Sequence, residues 1–295
     1  MKKLILLFAL LLFISQSIYS QIDDRINQFG QKNIESFVKP LGTTLGTALN
    51  TGTYYTADYP TLFGFSIGFR GMLVLIPSSE KTFIPVLPRG YTASSPSATI
   101  YGAKDGGAAY GGANGYVTYP GGLGVSNIPV IFPQITGSLL GTEVLIRFVP
   151  DIKIKNQTLS FFGIGLSHSI SRYIPLLPID IAVQILYSKI SLSGLFDVKD
   201  YAVNAHVSKT LGIFTAYGGV QYENTNVNIS YTLKGDPNSG DPALRQDRTI
   251  SASFTGDNHV RLTLGGALKL GFFLINADYS LITQPVISGG FSFVF

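Results

Sequence analysis

The sequence predicts an all-β fold: a transmembrane antiparallel β-barrel of about ten strands, within a range of eight to fourteen, preceded by a short helical N-terminal segment. Three observations predict it. Charged residues make up only 13% of the 295, where a soluble domain carries about 25%, and mean hydropathy is positive. After the first twenty residues no stretch holds the ~18 uninterrupted apolar residues of a membrane helix. Instead, segments of about ten residues alternate between apolar side chains and small or polar ones. A closed barrel reconciles the three, because lipid-facing and lumen-facing residues alternate and every backbone group finds its partner on a neighbouring strand.

Met1-Lys2-Lys3, the apolar run Leu4 to Ile14 and the small polar stretch Ser15 to Ser20 read as a secretory signal peptide over residues 1–20, with cleavage next to Gln21. About 275 residues then remain, ample for one large β domain. The chain has no cysteine, which excludes a lipid anchor on a cysteine after the signal and a disulfide-stapled fold.

Residues 21–60 carry Ile34, Phe37, Val38, Leu41 and Leu45 at helical spacing around Pro40, interrupted by Gly42 and Gly46. One or two short amphipathic helices are expected there, as a plug in the lumen or lying beneath the barrel. The barrel occupies 61–295. Its first strand is expected over Leu62 to Leu75, where Phe63, Phe65, Ile67 and Phe69 alternate with Gly64, Ser66, Gly68 and Arg70. Pro77 to Pro133 is rich in Gly, Pro, Ser and Tyr and is expected to hold at most one or two strands.

From Glu143 onward the alternation is regular. Val144, Ile146 and Phe148 oppose Glu143 and Arg147; Phe162, Ile164 and Leu166 oppose Gly163, Gly165 and Ser167; Val183 and Ile185 oppose Asp180 and Gln184; Tyr201, Val203 and Val207 oppose Asn204, His206 and Ser208. Further on, Val220 and Tyr222 oppose Gln221 and Glu223, after which the apolar phase moves to Val227 and Ile229, implying a bulge or turn near Asn224 to Asn226. Leu262 and Leu264 then oppose Arg261 and Thr263, and Ile275 and Tyr279 oppose Asn276 and Asp278. The last strand, Val286 to Phe295, places Ile287, Phe291, Phe293 and Phe295 on one face.

With the terminal aromatic strand on the periplasmic side, short turns fall at Lys269 to Gly271, Leu211-Gly212 and Arg172 to Pro178, while Ile282 to Pro285, Gly235 to Arg248, Ser193 to Lys199 and Pro150 to Gln157 face outside. Tyr187, Tyr201, Tyr231 and Tyr279 suit the aromatic girdles of a barrel.

On these residues, and on the terminal FSFVF, the chain resembles the outer-membrane β-barrel proteins of Gram-negative bacteria. The resemblance implies that Phe291, Phe293 and Phe295 form the signal read by the barrel-assembly machinery, with outer-membrane lipids around the barrel. The stretches FVKPLGTTLGTALNTGTYYTADYP, GTEVLIRFVPDIKI, GIGLSHSISRYIPLLPIDIAVQ and HVRLTLGGALKLGFFLINADYSL resemble an uncharacterised family of Bacteroidetes-type exported barrels. A more distant similarity, to the long-chain fatty acid transporters of the outer membrane, implies a hatch before the barrel; their N-terminal asparagine-proline-alanine motif is missing here.

Candidate functional residues are the polar-face side chains Glu143, Arg147, Asp180, Gln184, His206, Glu223, Arg261 and Asp278, which either line a path or pair across a packed interior, the second being favoured. Glu143 and Arg147 are the clearest local pair. Three scattered histidines and no cysteine predict no metal centre, and no cofactor fingerprint is present. The glycine-rich Gly102 to Gly124 lacks the Gly-Lys-Ser/Thr ending of a phosphate loop and reads as a loop whose Tyr110, Tyr116 and Tyr119 are available to a ligand or glycan. Scattered basic residues give no support to nucleic-acid binding. The expected function is passive transport of small, hydrophobic molecules; the alternatives are a surface-binding or structural anchor with working extracellular loops, and a barrel hydrolase using His206 or another histidine with a Ser or Asp partner.

Overall fold

The computed structural model describes residues 31–112, 115–154, 157–174, 176–233 and 247–295. The expected signal peptide and most of the Gly235 to Arg248 loop lie outside these residues, as does the side chain of Tyr231.

Ten antiparallel barrel strands follow one another around the wall. The first is β1 (Gly64–Leu75). A long excursion then carries four short strands, β2 (Thr82–Phe83), β3 (Ser97–Ala98), β4 (Ala109–Gly112) and β5 (Gly115–Thr118), paired as β2 with β3 and β4 with β5. The wall resumes with β6 (Asn127–Leu139), β7 (Thr142–Ile154), β8 (Gln157–Ser169), β9 (Asp180–Leu192), β10 (Phe196–Leu211) and β11 (Phe214–Leu233). The eighth wall strand is split into β12 (Arg248–Thr255) and β13 (Val260–Leu270), which pair in turn with the upper and lower halves of β11. Then come β14 (Phe273–Leu281) and β15 (Val286–Val294). The barrel closes where β15 pairs with β1 from Ser66↔Val294 to Val74↔Val286. Closure pairs β1 and β15 on both sides, and β6 is left without a ladder on its β7 side over 127–133.

Strands meet in tight turns at one end, around Leu140-Gly141, Gly212-Ile213 and Gly271-Phe272, and the glycines at 141, 212 and 271 take positive φ of 73°, 63° and 64°. That conformation is open to glycine at little steric cost. The β1–β6 excursion springs from the opposite, long-loop end.

Several expectations need correction. The 77–133 region holds four short strands and the first half of β6, more than the one or two expected. Proline content hid β6: Pro129 and Pro133 lie in phase within it, and the β6–β7 ladder stops at Gln134↔Arg147. Their missing N–H groups therefore fall on one edge, where β7 has departed and a strand tolerates proline. Pro150 to Gln157 is mostly strand, since β7 runs to Ile154 with a register shift between Val149 and Ile152. Nor does β11 slip phase near Asn224. Gln221, Glu223, Thr225 and Val227 all remain buried on the inward side, so the lumen changes from polar to apolar while the strand keeps its faces.

The N-terminal segment forms one helix of the one or two expected: α1 (Gln31–Asn50) runs unbroken through Pro40, Gly42 and Gly46. The two glycines, four apart, are a contact face. A Cβ at Gly42 would lie 2.8 Å from Val227 Cγ2, and one at Gly46 would overlap the Thr225 hydroxyl. The backbone of α1 thus lies directly against β11 and β12. Its upper half joins the excursion, with Phe37 carbonyl accepting from the Ile100 N–H at 2.9 Å and Asn33 bridging both backbone groups of Val86.

Inside, the barrel has two storeys. Near the long-loop end Met72, Val130, Phe132, Phe161, Val227 and Phe254 form part of one apolar core with Phe37, Ala48 and Leu49 of α1. Towards the short turns the inward side chains are polar. Outside, single-phase apolar residues cover the wall, and Tyr187 and Tyr201 pack at 5.0 Å below the outward ion pair Lys189–Asp197 (3.0 Å). Among the described residues no helix is long and apolar enough to cross a membrane; crossing by strands is a separate matter.

Candidate functional site: a polar seat for the N-terminal segment

α1 points its C-terminus into the middle of the lumen. The last carbonyls of a helix have no intrahelical donors and carry the negative end of its dipole, and the last turn of α1 contains no basic residue of its own. The wall supplies two. Arg147, 1% exposed on β7, donates to the carbonyls of Leu49 (3.1 Å), Thr51 (2.8 Å) and Gly52 (2.8 Å), and twice to Gln134 Oε1. Arg261 on β13 donates to the Thr47 carbonyl (3.0 Å) and to the Thr51 hydroxyl, while Glu223 on β11 holds its charge at 3.0 Å. Both partners of that ion pair are almost wholly buried. Planar guanidinium forks suit this task, since each satisfies several converging carbonyls at once.

Beyond Asn50 the chain descends between the walls. Thr53 donates to Gln184 Oε1 (2.9 Å), and Gln184 donates to Ser167 (2.8 Å). Asn204 Nδ2 donates to the side-chain oxygens of Gln184 and Gln221, leaving its Oδ1 to accept from His206 Nδ1 at 2.8 Å. The proton therefore sits on Nδ1, and Nε2 accepts from the Tyr59 hydroxyl at 3.0 Å. Tyr54 stacks on the same imidazole, ring centres 4.1 Å apart and planes 12° off parallel. Further down, the Ala57 N–H donates to Ser208 Oγ (2.9 Å), and the Pro60 and Thr61 carbonyls accept from the Gly141 and Leu140 N–H groups. Residues 31–60 therefore thread the lumen from one end to the other.

Of the residues singled out in the sequence, Arg147, Gln184, His206, Glu223 and Arg261 contact this segment or each other. Asp278 accepts from Tyr217 (2.9 Å) and Ser288 (2.6 Å) on the wall. Glu143 is buried beside Thr136 and does not pair with Arg147, whose donors are taken by Gln134 and the plug carbonyls. Asp180 sits half-buried at the short-turn rim, apart from the seat. Sequence reading missed Tyr54 and Tyr59, because their partners lie about 150 residues away. It also passed over Arg70 on β1, which is 1% exposed, donates to Ser292 at 3.3 Å, lies 6.0 Å over the Tyr55 ring and, among the described residues, finds no partner for its Nε. The Arg70 position was visible as an inward-phase charge in the first strand.

The Tyr59–His206–Asn204 array has the order of a proton-transfer relay, but all three side chains are buried with no face open to a substrate. His168 is bound to Thr142 and Tyr173, and His259 stacks on Tyr222. Among the described residues, the side-chain partners of His206 and His168 are Tyr59, Asn204, Thr142 and Tyr173, with no Ser or Asp in the place a hydrolase would need. Among the described residues no cluster of His, Asp and Glu has the form of a metal site. Tyr110 and Tyr119 are buried in the excursion and not available to a ligand; Tyr116 is exposed.

No curated protein sequence matches the chain. Solved structures similar to it include Ail of Yersinia pestis (12% identity, 79% of this chain and 97% of that one, TM-score 0.23), OmpF of Salmonella typhi (7%, 82% and 99%, 0.22) and the toluene transporter TbuX of Ralstonia pickettii (11%, 84% and 93%, 0.21). At these scores the likeness carries no weight, and the barrel assignment rests on the strand register above. The profile of a family of unknown function, DUF6588, matches residues 1–295, and the chain belongs to that family.

Proposed function

We propose that the protein is an outer-membrane conduit for small apolar molecules, closed at rest by residues 31–60. The observation that carries this reading is the character of the seat. From the end of α1 downward the plug meets the wall through buried hydrogen bonds to Arg147, Arg261, Gln184, His206 and Ser208, and its apolar contacts there are two small clusters, Tyr54 with Tyr217, Ala267 and Leu274, and Ala57 and Tyr59 with Ala182. A buried ion pair gives little net stability over an apolar filling of the same volume. A barrel that only had to be solid would gain by packing hydrocarbon there. Water can replace these bonds one at a time, so the seat is suited to release.

The upper lumen supports an apolar solute, since its wall is lined by Met72, Val130, Phe132 and Phe161. The unpaired stretch of β6 over 127–133 also leaves that wall without a ladder on one side. With the short turns in the periplasm, as in exported barrels, α1 enters from the cell surface. Phe291, Phe293 and Phe295 line the closing strand and serve in recognition by the assembly machinery.

A second reading, a barrel that anchors a surface-binding cap, is favoured by the folded excursion over 76–126, whose Tyr101, Tyr110 and Tyr119 are buried in one core with α1. Liposome swelling with sugars and a fatty-acid probe separates the two. The full mature chain should be nearly closed and a chain lacking 21–60 should conduct. Failure of both to conduct, with β-rich circular dichroism intact, would discard the conduit and leave the anchor.

A further inference from the structure

We infer that the short-turn rim is an anchor for phospholipid: its turn tips lie among the headgroups and upper acyl carbons of the adjacent leaflet, not in water. Tight turns ordinarily carry Gly, Asn, Asp and Ser at their tips. Here the tips present Leu140, Leu211, Ile213, Leu270 and Phe272, each more than half exposed, and Leu176 in the 170–179 connection is fully exposed. The opposite rim has Ser193-Gly194 and Thr283-Gln284 at the corresponding places. Leu140 and Leu176 are also the only non-glycine residues with positive φ among those described, at 52° and 64°. Glycine or asparagine takes that conformation at lower cost, so large apolar side chains are kept at this rim against local preference.

Two observations identify the occupant. The tips are continuous with the apolar belt of the wall: Phe272 stacks on Phe293 (6.3 Å, 13°) and touches Phe273 (4.3 Å), which in turn meets Phe291. Basic residues stand at the same level. Lys209 projects outward at the foot of β10, with Lys269 and Arg172 exposed on neighbouring turns, matched to phosphate. The acids of this rim, Asp58 and Asp180, belong to the plug and to the inward phase of β9. On β10 the outward lysines Lys199 and Lys209 bracket Tyr201, Val203 and Val207. Ten residues of strand span about 33 Å, or about 25 Å along the axis at the ~40° tilt of such barrels, the height of a hydrocarbon band. Leu211 and Ile213 lie just past that band, where a lysine stem and an apolar tip share the headgroup region.

The inference rests on the barrel being in a bilayer, and the experiment tests the two separately. The chain has no tryptophan, so single replacements report without background. Ile213→Trp, Phe272→Trp and Tyr173→Trp probe the rim, Val203→Trp the belt and Tyr116→Trp the excursion. Each protein is refolded into phosphatidylethanolamine–phosphatidylglycerol vesicles carrying bromine either near the headgroup or near the chain end. Rim tryptophans should lose roughly half or more of their emission to headgroup-level bromine and less to deep bromine. Val203→Trp should show the reverse, and Tyr116→Trp should not respond. If Val203→Trp is quenched while all three rim sites emit as water-exposed indoles open to acrylamide, the lipid anchor is overturned and the rim is a surface for a periplasmic protein. If Val203→Trp itself is unquenched, the membrane reading falls, and this inference with it.

Discussion

Removing Arg147 should unseat the plug while leaving the barrel standing. Its guanidinium makes bonds to three main-chain carbonyls of the plug, at 3.1, 2.8 and 2.8 Å, from a site 1% exposed. A hydrogen bond to a charged group is worth about 1.5–3 kcal/mol, so the gross loss in Arg147→Ala is about 4.5–9 kcal/mol. Water entering the vacated space recovers part of it, and about 3–5 kcal/mol is the expected net cost, in line with breaking other buried charged contacts. Even the lower figure multiplies the unseated population by about 150-fold. The absence of native cysteine supplies the assay: Thr53→Cys, buried in the seat, reacts with a maleimide only when the plug moves. In the Arg147→Ala background its labelling should accelerate by about two orders of magnitude and sugar permeation should appear, with Arg147→Lys in between because an ammonium lacks the planar fork. Labelling that stays within about twofold of the parent would refute the argument that this arginine holds the plug.

Gly46→Ala should also open the barrel, because its Cβ would overlap Thr225; Thr225→Gly in the same chain should restore closure, a coupling readable in the same labelling assay. Phe295→Ala, which removes an exposed aromatic beside Phe65 (6.4 Å) but keeps the backbone bonds between them, should lower the yield of inserted barrel in cells and leave refolding from urea into detergent little changed. Equal yields in cells would remove the assembly role. Burial raises the Glu80 carboxyl above its ordinary value in the excursion, with Gln284 partly opposing the shift. A carboxyl raised on folding stabilises the folded form below its unfolded value and loses that contribution as pH rises through the folded one. Acidification from pH 7 towards pH 4 should therefore raise the amide protection factors of the excursion, taken relative to the intrinsic exchange rate at each pH, and Glu80→Gln should flatten that rise; protection that falls at low pH would reverse the sign of the argument.

The alternation of side chains determined the barrel. A period of two over ten-residue segments has few solutions when charge is scarce, and it placed the outward faces of β1, of β7 to β10, of the lower half of β11 and of β13 to β15, because lipid imposes one rule along the whole wall; it offered no strand for β12 and reversed the upper half of β11. The strand count and the short turns at 212 and 271 followed from the same pattern. What sequence could not decide was the inside. The lumen is filled by whatever the N-terminal segment and the excursion bring into it, so Val227 and Ile229 look like a phase slip until α1 is seen packed against β11. Gly42 and Gly46 look like helix breakers until their contact with Val227 and Thr225 is known. Arg147 and Glu143, neighbours on one face, go to different partners because the carbonyls at the end of α1 need donors and Glu143 has none to give. Those partners are about 100 residues away in sequence, and no local period encodes a contact at that distance; only the folded chain brings a helix terminus to an arginine.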